Sequence, residues 1–409
     1  MRSVWLSATA ILFAGAAHAT PLTYAAALEL AQQSAPDLEA RADDLEAARA
    51  ASVAAGRLPD PKLALGLEGF PVSGPDAGRP ERDDFSALKI GVIQDVPNGA
   101  KRQAQRERAA ADIGAAAAGQ VVEVRSVRIG AALAWIDLHY AKRRLAALDE
   151  VEAALAKLRK TTASRVTSGA QRPAQALEAD RLTAALADRR AELTAGIGKA
   201  RAELTRWTGE MDPDAVGEAP GYPLDPLALR AGLDALPSLR AFEALSRQAD
   251  ADTALAKADK RPDWSWEVGY QHRDPRFGDM VMAQVTVGLP IFGATRQDPE
   301  IAARAARANR VRAEREAARR ALEAGLNADL ADHAMHHERL MRAQTVLLPL
   351  AQKRADLEAA SYAGGSAGLS DVLDAEVALA EARADAVDRE AEVVRDGVRI
   401  ALTYGSEAR

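Results

Sequence analysis

Two carboxylates, Asp371 and Asp374, stand three residues apart and share one face if their segment is a helix. Like charges held close together attract cations, repel anions and raise one another's pKa. A simpler interpretation is also open, because acidic residues at the start of a helix interact favourably with its dipole. What this pair does therefore depends on where the fold places it.

A second group of potential ligands lies in one predicted helix. It consists of His333, Met335, His336, His337 and Met341. His333 and His337 are four residues apart, so both could contact one metal ion. Two ligands from one helix make only half a site, and the chain has no cysteine to complete it. We interpret the cluster as a solvated helix face and predict neither a bound metal nor another cofactor.

The composition excludes several classes of function. The 409 residues contain neither a phosphate-binding loop nor a His-Glu-x-x-His zinc motif, and we expect no enzyme activity. The formal net charge is −6, with basic and acidic residues interspersed, so nucleic acid is not an expected partner. The absence of cysteine excludes disulfides and a lipid-modified N-terminal cysteine.

The chain reads as a tandem duplication. Three features recur in the same order, namely Gly169 and Gly365, Pro59-Asp60 and Pro262-Asp263, and Pro97 and Pro290. Their offsets of 196, 203 and 193 residues are nearly constant. We predict a signal peptide over 1–19, a first repeat over 20–210, a proline-rich linker over 211–226 and a second repeat over 227–409.

Each repeat carries two runs that alternate apolar and polar residues, as strands do. We place them at about 62–69, 86–96, 263–271 and 280–289. Their length is that of a strand crossing a bilayer at a tilt. Trp264, Trp266, Val268 and Tyr270 fall on one side of the third run and are predicted to face lipid. The alternative is a four-stranded sheet packed on helices in a soluble protein.

Long helices make up the rest of each repeat. No proline interrupts 101–168, and at ~1.5 Å rise per residue a helix of that length measures on the order of 100 Å. A second helix is predicted over 298–363, where Pro349 should kink or locally break it. Aromatic residues amount to only 4% while alanine is abundant, which favours close helix–helix packing over a bulky core.

The membrane interpretation has a consequence for assembly. Four strands cannot close a barrel, and lipid does not tolerate an open sheet edge. Several chains must therefore share one barrel, and three chains of four strands give twelve, within the usual range. The predicted fold class is mainly α with a small β part: a duplicated strand–strand–long-helix repeat, forming a shared trimeric 12-stranded barrel over an α-helical coiled-coil tunnel.

The sequence resembles the TolC family of outer-membrane efflux proteins over essentially the whole mature length. The motifs that carry the resemblance are Leu-Thr-Tyr-Ala at 22–25, Ala-Pro-Asp-Leu at 35–38, Leu-Pro-Asp-Pro at 58–61, Gln-Asp-Val-Pro-Asn-Gly-Ala-Lys-Arg at 94–102, Tyr-Ala-Gly-Gly at 362–365 and Asp-Val-Leu-Asp-Ala at 371–375. The first-half motifs look most like the branch that includes CzcC and CusC, which serves heavy-metal efflux.

The resemblance implies two kinds of site in the helical part. Helix-hairpin tips that dock on an adaptor would lie at Ser168, Gly169 and Ala170, and at Gly364, Gly365 and Ser366. A pore gate would use Asp371, Asp374, Gln175, Glu178 and Tyr362. The basic residue that some relatives place near this tyrosine is absent, since Ala367 and Gly368 stand there. A latch of that kind is therefore not expected.

The function implied is a passive exit duct in the outer membrane, extended into the periplasm and not lipidated. Its partners would be two further copies of the chain, a periplasmic membrane-fusion adaptor, an inner-membrane RND-type pump and outer-membrane lipid. Heavy-metal cations are the expected cargo. Alternatives are a duct for drugs or small molecules, a type I secretion duct, or a periplasmic coiled-coil adaptor or scaffold protein.

Overall fold

The computed structural model describes residues 19–167 and 173–405. Helices dominate, and a small part is sheet, as the sequence predicted. The helices are α1 (Tyr24–Ser34), α2 (Pro36–Ala54), α3 (Gly99–Thr167), α4 (Pro173–Thr208), α5 (Pro226–Gly232), α6 (Pro237–Ala258), α7 (Gln297–Arg342), α8 (Leu348–Ala363) and α9 (Leu369–Tyr404). The strands are β1 (Thr20–Leu22), β2 (Lys62–Glu68), β3 (Ala87–Val96), β4 (Pro213–Ala215), β5 (Trp264–His272) and β6 (Met280–Val287).

Local chemistry explains where several helices begin and end. The Thr23 side chain accepts a hydrogen bond from the Ala26 N–H at 3.3 Å and caps α1. Pro36 stands first in α2, where its missing N–H costs nothing. The segment after the proline-rich stretch holds two helices, α5 and α6, and not a single one. Pro237 at the first position of α6 separates them, after a short 3₁₀ turn at Leu233–Ala235.

Pro349 lies just after the start of α8 and is accommodated by a π-helical turn. The turn covers Ala343–Leu347 between α7 and α8, and the Leu348 N–H donates to the Ala343 carbonyl. Proline lacks an N–H and its ring displaces the carbonyl four residues before it. A wider turn in front of it relieves that conflict while the helical path continues. The predicted local break is therefore a change of helical pitch.

The chain divides into two compact units, and each takes segments from both sequence repeats. Unit 1 combines the residues up to Leu38 with Val124–Leu233 and the residues from Glu323 onward. Unit 2 consists of Glu39–Glu123 and Asp234–Leu322.

Unit 1 is organised around a buried aromatic core. Trp135 and Tyr140 of α3 are fully buried, and the Trp135 Nε1–H donates to the Leu22 carbonyl at 2.8 Å. Leu22 belongs to β1, which pairs in parallel with β4. The predicted linker 211–226 therefore contributes a strand to this core. The Tyr24 ring packs edge-on to Trp135, with ring centroids 5.6 Å apart.

One glycine in this core is required by close packing. Gly130 of α3 faces the Trp207 ring of α4, and a Cβ there would lie only 2.3–2.6 Å from three ring atoms. Ion pairs surround the apolar contacts: Arg143 Nη1 lies 2.5 Å from Glu390 Oε1, which also accepts from the Tyr140 hydroxyl at 3.0 Å. Because these charges are half-exposed, each pair adds only ~0–1 kcal/mol, and the apolar contacts dominate.

Unit 2 contains one antiparallel sheet with the strand order β2-β3-β5-β6. The hairpin β2·β3 pairs Leu65 with Ile90, and the hairpin β5·β6 pairs Val268 with Ala283. The offset of 203 residues relates Leu65 to Val268, and the offset of 193 residues relates Ile90 to Ala283. Both hairpins therefore have the same register, and the chain joins them through β3·β5.

The sheet of unit 2 is anchored to its helices at the β3·β5 seam. Asn98 directly follows β3 and the proline that ends it. Its backbone N–H and its side-chain amide donate to Asp263 Oδ1 at 2.7 and 2.8 Å. The amide also donates to the carbonyl of Ala258, the last residue of α6, and to that of Arg261. Lys101 in the first turn of α3 bridges Asp259 and Asp263 at 2.8 and 3.3 Å.

Candidate channel surfaces

One face of the sheet is apolar and exposed. Strand alternation sends every second side chain to this face, and directly paired residues share it. Its members are Leu63, Leu65 and Leu67 of β2, Leu88, Ile90 and Val92 of β3, Trp264, Trp266, Val268 and Tyr270 of β5, and Val281, Val285 and Val287 of β6. We call this set the apolar face. The four residues that the sequence predicted to face lipid all lie on it and are 37–47% exposed.

The other face is polar and less exposed than the apolar one. Lys89 of β3 lies between two carboxylates, with Nζ 2.8 Å from Glu267 Oε1 and 3.0 Å from Glu68 Oε1. A second pair joins Lys62 Nζ and Asp95 Oδ2 at 2.6 Å. We call this side the polar face. Soluble proteins bury apolar side chains and expose charge. The sheet reverses that arrangement.

The two outer strands of the sheet have a free edge each. β2 pairs only with β3 and β6 only with β5 among the described residues. A row of unpaired N–H and C=O groups is a template for another strand. The unpaired N–H and C=O groups of β2 and β6 lie beside the exposed apolar side chains of the same two strands. The free edges and the apolar face are therefore continuous.

Two connecting loops at one end of the sheet are fastened together by arginines. Arg273 donates to the carbonyls of Gly278 and Phe277 in its own loop, at 2.8 and 2.7 Å, and to the Asp84 carbonyl in the loop after β2, at 3.0 Å. Arg276 reaches the Glu81 carbonyl in the same way. The loop 69–86 is thus tied to the loop 273–279 by hydrogen bonds from arginine side chains to backbone carbonyls.

In unit 1, α8 and α9 are joined by a tight turn at the predicted hairpin tip. Gly365 has φ +78°, a left-handed conformation that favours glycine. The Gly365 N–H donates to the Tyr362 carbonyl at 3.1 Å, and the Ser366 N–H donates to the Ser361 carbonyl at 2.9 Å. These two bonds form a Schellman motif, which satisfies the last carbonyls of α8. Gly364, Gly365 and Ser366 are exposed on it.

The same turn contains the sequence pattern Gly-x-Ser-x-Gly at residues 364–368. In hydrolases this pattern places a nucleophilic serine between a strand and a helix. Here it joins two helices, and Ser366 Oγ donates to the Ser361 carbonyl at 3.0 Å. The motif is part of a helix cap and lacks the structural context of a nucleophile.

The two predicted gate aspartates differ in their surroundings. The Gly368 N–H donates to Asp371 Oδ2 at 2.8 Å, so Asp371 caps the start of α9. Asp374 lies one turn further along and is exposed, and among the described residues its side chain forms neither a hydrogen bond nor an ion pair. Helix capping therefore accounts for Asp371 but not for Asp374.

The first-copy counterparts are only partly covered. Ser168, Gly169 and Ala170 lie outside the described residues. Gln175 and Glu178 are in the first turns of α4, but their side chains are outside the described set. Tyr362 is half-buried and packs against the buried pair Leu155 and Leu373, as Leu182 and Leu186 also do. The structure therefore places this tyrosine where α8 meets α3 and α9.

Within the α7 cluster, His336 faces the α9 carboxylates Asp396 and Glu392, whereas His337, Met335 and Met341 are exposed. His336 Nδ1 lies 2.7 Å from Asp396 Oδ2, and Arg399 Nη2 contacts the other oxygen of Asp396 at 3.2 Å. Burial lowers the pKa of His333, and the nearby Asp396 partly offsets this. Within 19–167 and 173–405, no group of three or more His, Asp or Glu side chains is placed to hold a metal ion.

The sequence did not single out the Lys89–Glu68–Glu267 group or the His336–Asp396 pair. A weak signal existed for the first, since Lys89 and Glu267 occupy polar positions of two predicted strands. Recognising it needed the β3·β5 pairing, which joins residues far apart in the chain.

No helix among the described segments combines the length and the apolar character that a membrane crossing requires. No family model matches the chain, and no curated protein sequence matches it. The fold, in contrast, has solved counterparts. CusC, described in terms of transmembrane channel formation, superimposes with a TM-score of 0.78 at 16% identity, over 93% of this chain and 92% of that one.

Two further structures show the same likeness. The outer membrane protein VceC from Vibrio cholerae has a TM-score of 0.76 at 17% identity, over 94% of this chain and 97% of that one. The MtrE outer membrane channel from Neisseria gonorrhoeae, in its open state, has a TM-score of 0.73 at 17% identity, over 93% and 88%. The chain has the fold of outer-membrane channel proteins. CusC does not stand apart from the others, so the likeness does not single out a heavy-metal branch.

Proposed function

We propose that three copies of this chain form an outer-membrane channel, the exit duct of a tripartite efflux system. The observation that carries the proposal is the reversed sheet of unit 2, whose apolar face is more exposed than its polar face. Leaving apolar surface in water costs about 25 cal/mol per Å², whereas lipid removes that cost. The fold supports the proposal, since CusC is described in terms of transmembrane channel formation and MtrE as an outer membrane channel.

The free edges of β2 and β6 define how copies meet. In lipid every backbone polar group needs a partner within the protein. The edges must therefore pair with each other between chains, β6 of one copy with β2 of the next. Three copies of the four-stranded sheet give twelve strands, a barrel size found among outer-membrane proteins.

The internal duplication supplies the register of this seam. Within the chain, Val92 of β3 pairs with Val268 of β5. The offset that relates Pro97 to Pro290 carries Val92 onto Val285, and the offset that relates Asp60 to Asp263 carries Leu65 onto Val268. The seam between copies should therefore pair Val285 with Leu65 of the neighbouring copy. Both residues lie on the apolar face, as a closed barrel requires.

Disulfide cross-linking tests both the trimer and the register. The chain has no cysteine, so Leu65→Cys with Val285→Cys introduces the only two thiols. Directly paired residues have Cα atoms about 4.5–5.5 Å apart, within disulfide range. Oxidation of native membranes should give a band of three covalently linked chains on a denaturing gel, which a reductant removes.

The matched control moves one thiol by two residues on the same face. Leu67→Cys with Val285→Cys places the pair diagonally, near the limit of disulfide geometry, and should cross-link much less. A ladder that stops at two chains would argue against three copies. Recovery of the protein only in the soluble periplasmic fraction would favour a periplasmic adaptor or scaffold instead.

The α8–α9 turn is the proposed docking point for a periplasmic adaptor, together with Ser168, Gly169 and Ala170. Gly364, Gly365 and Ser366 are exposed on a turn held by the Schellman hydrogen bonds, so a partner would meet a fixed backbone shape. A photo-reactive residue at 366 should cross-link to the adaptor in an assembled pump. The same residue at 310, an exposed position of α7, is the control and should not.

Asp374 is the stronger gate candidate, because Asp371 already caps α9. Three copies of Asp374 around a narrow opening would attract cations. Asp374→Asn should lower the preference for cations over anions in single-channel recordings, whereas Asp371→Asn should chiefly lower helix stability. Equal selectivity in the Asp374 variant and the parent would remove this residue from the gate. Gln175, Glu178 and Tyr362 complete the proposed constriction.

Heavy-metal cations are the proposed cargo, delivered by an RND-type inner-membrane pump. The resemblance of the first-half motifs to the CzcC and CusC branch and the unpaired Asp374 both favour cations. Deleting the gene should lower tolerance to metal salts more than tolerance to drugs. The reverse result would assign the duct to drug or small-molecule export.

A further inference from the structure

We infer that Lys89, held between Glu68 and Glu267, sets the preference of the proposed barrel for cations over anions. It does so by neutralising one of the two carboxylates that each chain contributes to a ring. This inference rests on the proposed function, because it requires the polar face to line a water-filled lumen. It concerns the sheet of unit 2 and is independent of the gate proposed at α9.

The group is a network across three strands. Lys89 Nζ of β3 contacts Glu267 Oε1 of β5 at 2.8 Å and Glu68 Oε1 of β2 at 3.0 Å. The Gln271 amide donates to the other oxygen of Glu68 at 2.6 Å. The Lys89 and Glu267 side chains are only 13% and 15% exposed, although they lie on the polar face of a sheet. They are fixed in place rather than extended into solvent.

Two glycines make room for this arrangement. Gly91 and Gly269 are directly paired on the polar face. A Cβ on Gly269 would lie 3.4 Å from Lys89 Cε, and a Cβ on Gly91 would lie 3.3 Å from Glu267 Oε1. The charged side chains therefore lie next to two backbone positions that carry no side chain of their own.

The charges of the group do not balance. One lysine faces two glutamates, so each chain contributes one excess negative charge and three chains contribute three. The other ion pair on this face, Lys62 with Asp95, is neutral and more exposed, at 65% and 40%. Salt screens charges over about 10 Å at 0.1 M and about 30 Å at 0.01 M. A fixed ring should therefore control ion permeation chiefly at low salt.

The test is the reversal potential of purified channels in planar bilayers under a KCl gradient near 0.01 M. We would use a background of Asp374→Asn, so that the proposed gate does not dominate. Lys89→Gln leaves two uncompensated carboxylates and should raise the K⁺/Cl⁻ permeability ratio by about twofold or more. Glu267→Gln balances the group and should bring the ratio down toward that of bulk solution.

Two controls protect the interpretation. Lys89→Arg keeps the charge and should retain the parental ratio, which separates charge from disturbed folding. Lys62→Gln removes an equal charge from a more exposed position and should shift the ratio less than Lys89→Gln does. Unchanged ratios in Lys89→Gln and Glu267→Gln, or an equal shift in Lys62→Gln, overturn the inference while the duct stands. An inserted parent protein without conductance refutes the duct, and the inference with it.

Discussion

The core of unit 1 and the sheet of unit 2 use similar residues in opposite ways. Trp135 is fully shielded and its indole N–H is hydrogen-bonded, whereas Trp264 and Trp266 are 42% and 37% exposed. Around Trp135 the charges lie outside and the apolar groups inside. On the sheet the ion pair of Lys89 and Glu267 is the more protected part. The difference is what the proposed channel requires, with water around the core of unit 1 and lipid against the apolar face of the sheet.

The largest effect should separate the two tryptophan environments. Trp135→Ala removes a buried ring and a hydrogen bond, so it should cost about 3–5 kcal/mol of stability. In the proposed channel Trp266 contacts lipid, so Trp266→Ala leaves no cavity inside the protein and should change stability far less. Thermal unfolding of both variants in detergent measures the contrast. Equal losses would mean that the apolar face is buried against protein.

A charge on each face of the sheet sharpens the contrast further. Val268→Lys places an ammonium on the apolar face and should cost about 2–4 kcal/mol if that face lies at mid-bilayer. Gln284→Lys places the same charge on the polar face and should be tolerated. The readout is the fraction of folded, heat-resistant protein in the outer membrane. Normal assembly of the Val268 variant would contradict a lipid environment.

Glycine substitutions compare packing in the two regions. Gly130→Ala drives a methyl group into the Trp207 ring and should cost about 1–3 kcal/mol. Gly66→Ala on the polar face of β2 meets nothing within 4 Å and should be close to neutral. Denaturant midpoints of the two variants, compared with the parent, provide the measurement. A destabilised Gly66 variant would indicate that another copy or segment covers this position.

The smallest effect concerns pH. Burial lowers the pKa of His139, and nearby Arg143 lowers it further. The neutral ring, stacked on Trp135 at 5.0 Å, is thus favoured in the folded state. Its contribution is full above the ordinary pKa of about 6.5 and declines as the pH falls through the lowered value. The melting temperature of the parent should therefore drop more between pH 7.5 and 5 than that of His139→Phe. Equal drops would exclude His139 as the source.

The sequence was sufficient for features with a local cause. A period of two residues reveals a strand and its two faces without knowledge of its partners, which is why Trp264 and Tyr270 could be assigned to one side. Pro349 marks a helix interruption for the same reason, because its missing N–H acts within one turn. The mainly helical fold with a small sheet followed from these patterns, whereas the expected likeness to outer-membrane channels came from the motifs that resemble the TolC family.

The remaining features depend on contacts between distant segments. The short strand β4 in the proline-rich stretch forms because β1 supplies its partner, and nothing in Pro213–Ala215 alone indicates this. Likewise, Lys89 and Glu267 are ordinary strand residues until β3 and β5 pair. The capping role of Asp371 was one of two open interpretations, and choosing between them required the position of the Gly368 N–H.

The division of both units among separate stretches of chain limits how the molecule can be cut or recombined. The polypeptide crosses from one unit to the other four times, near residues 38, 123, 233 and 322. A truncation that removes the last part of unit 2 also deletes Val398 and Leu402 from the core of unit 1. Grafting this sheet onto a relative would require four splice points. We therefore expect single-crossover chimeras to fail, and the two units to be inherited together.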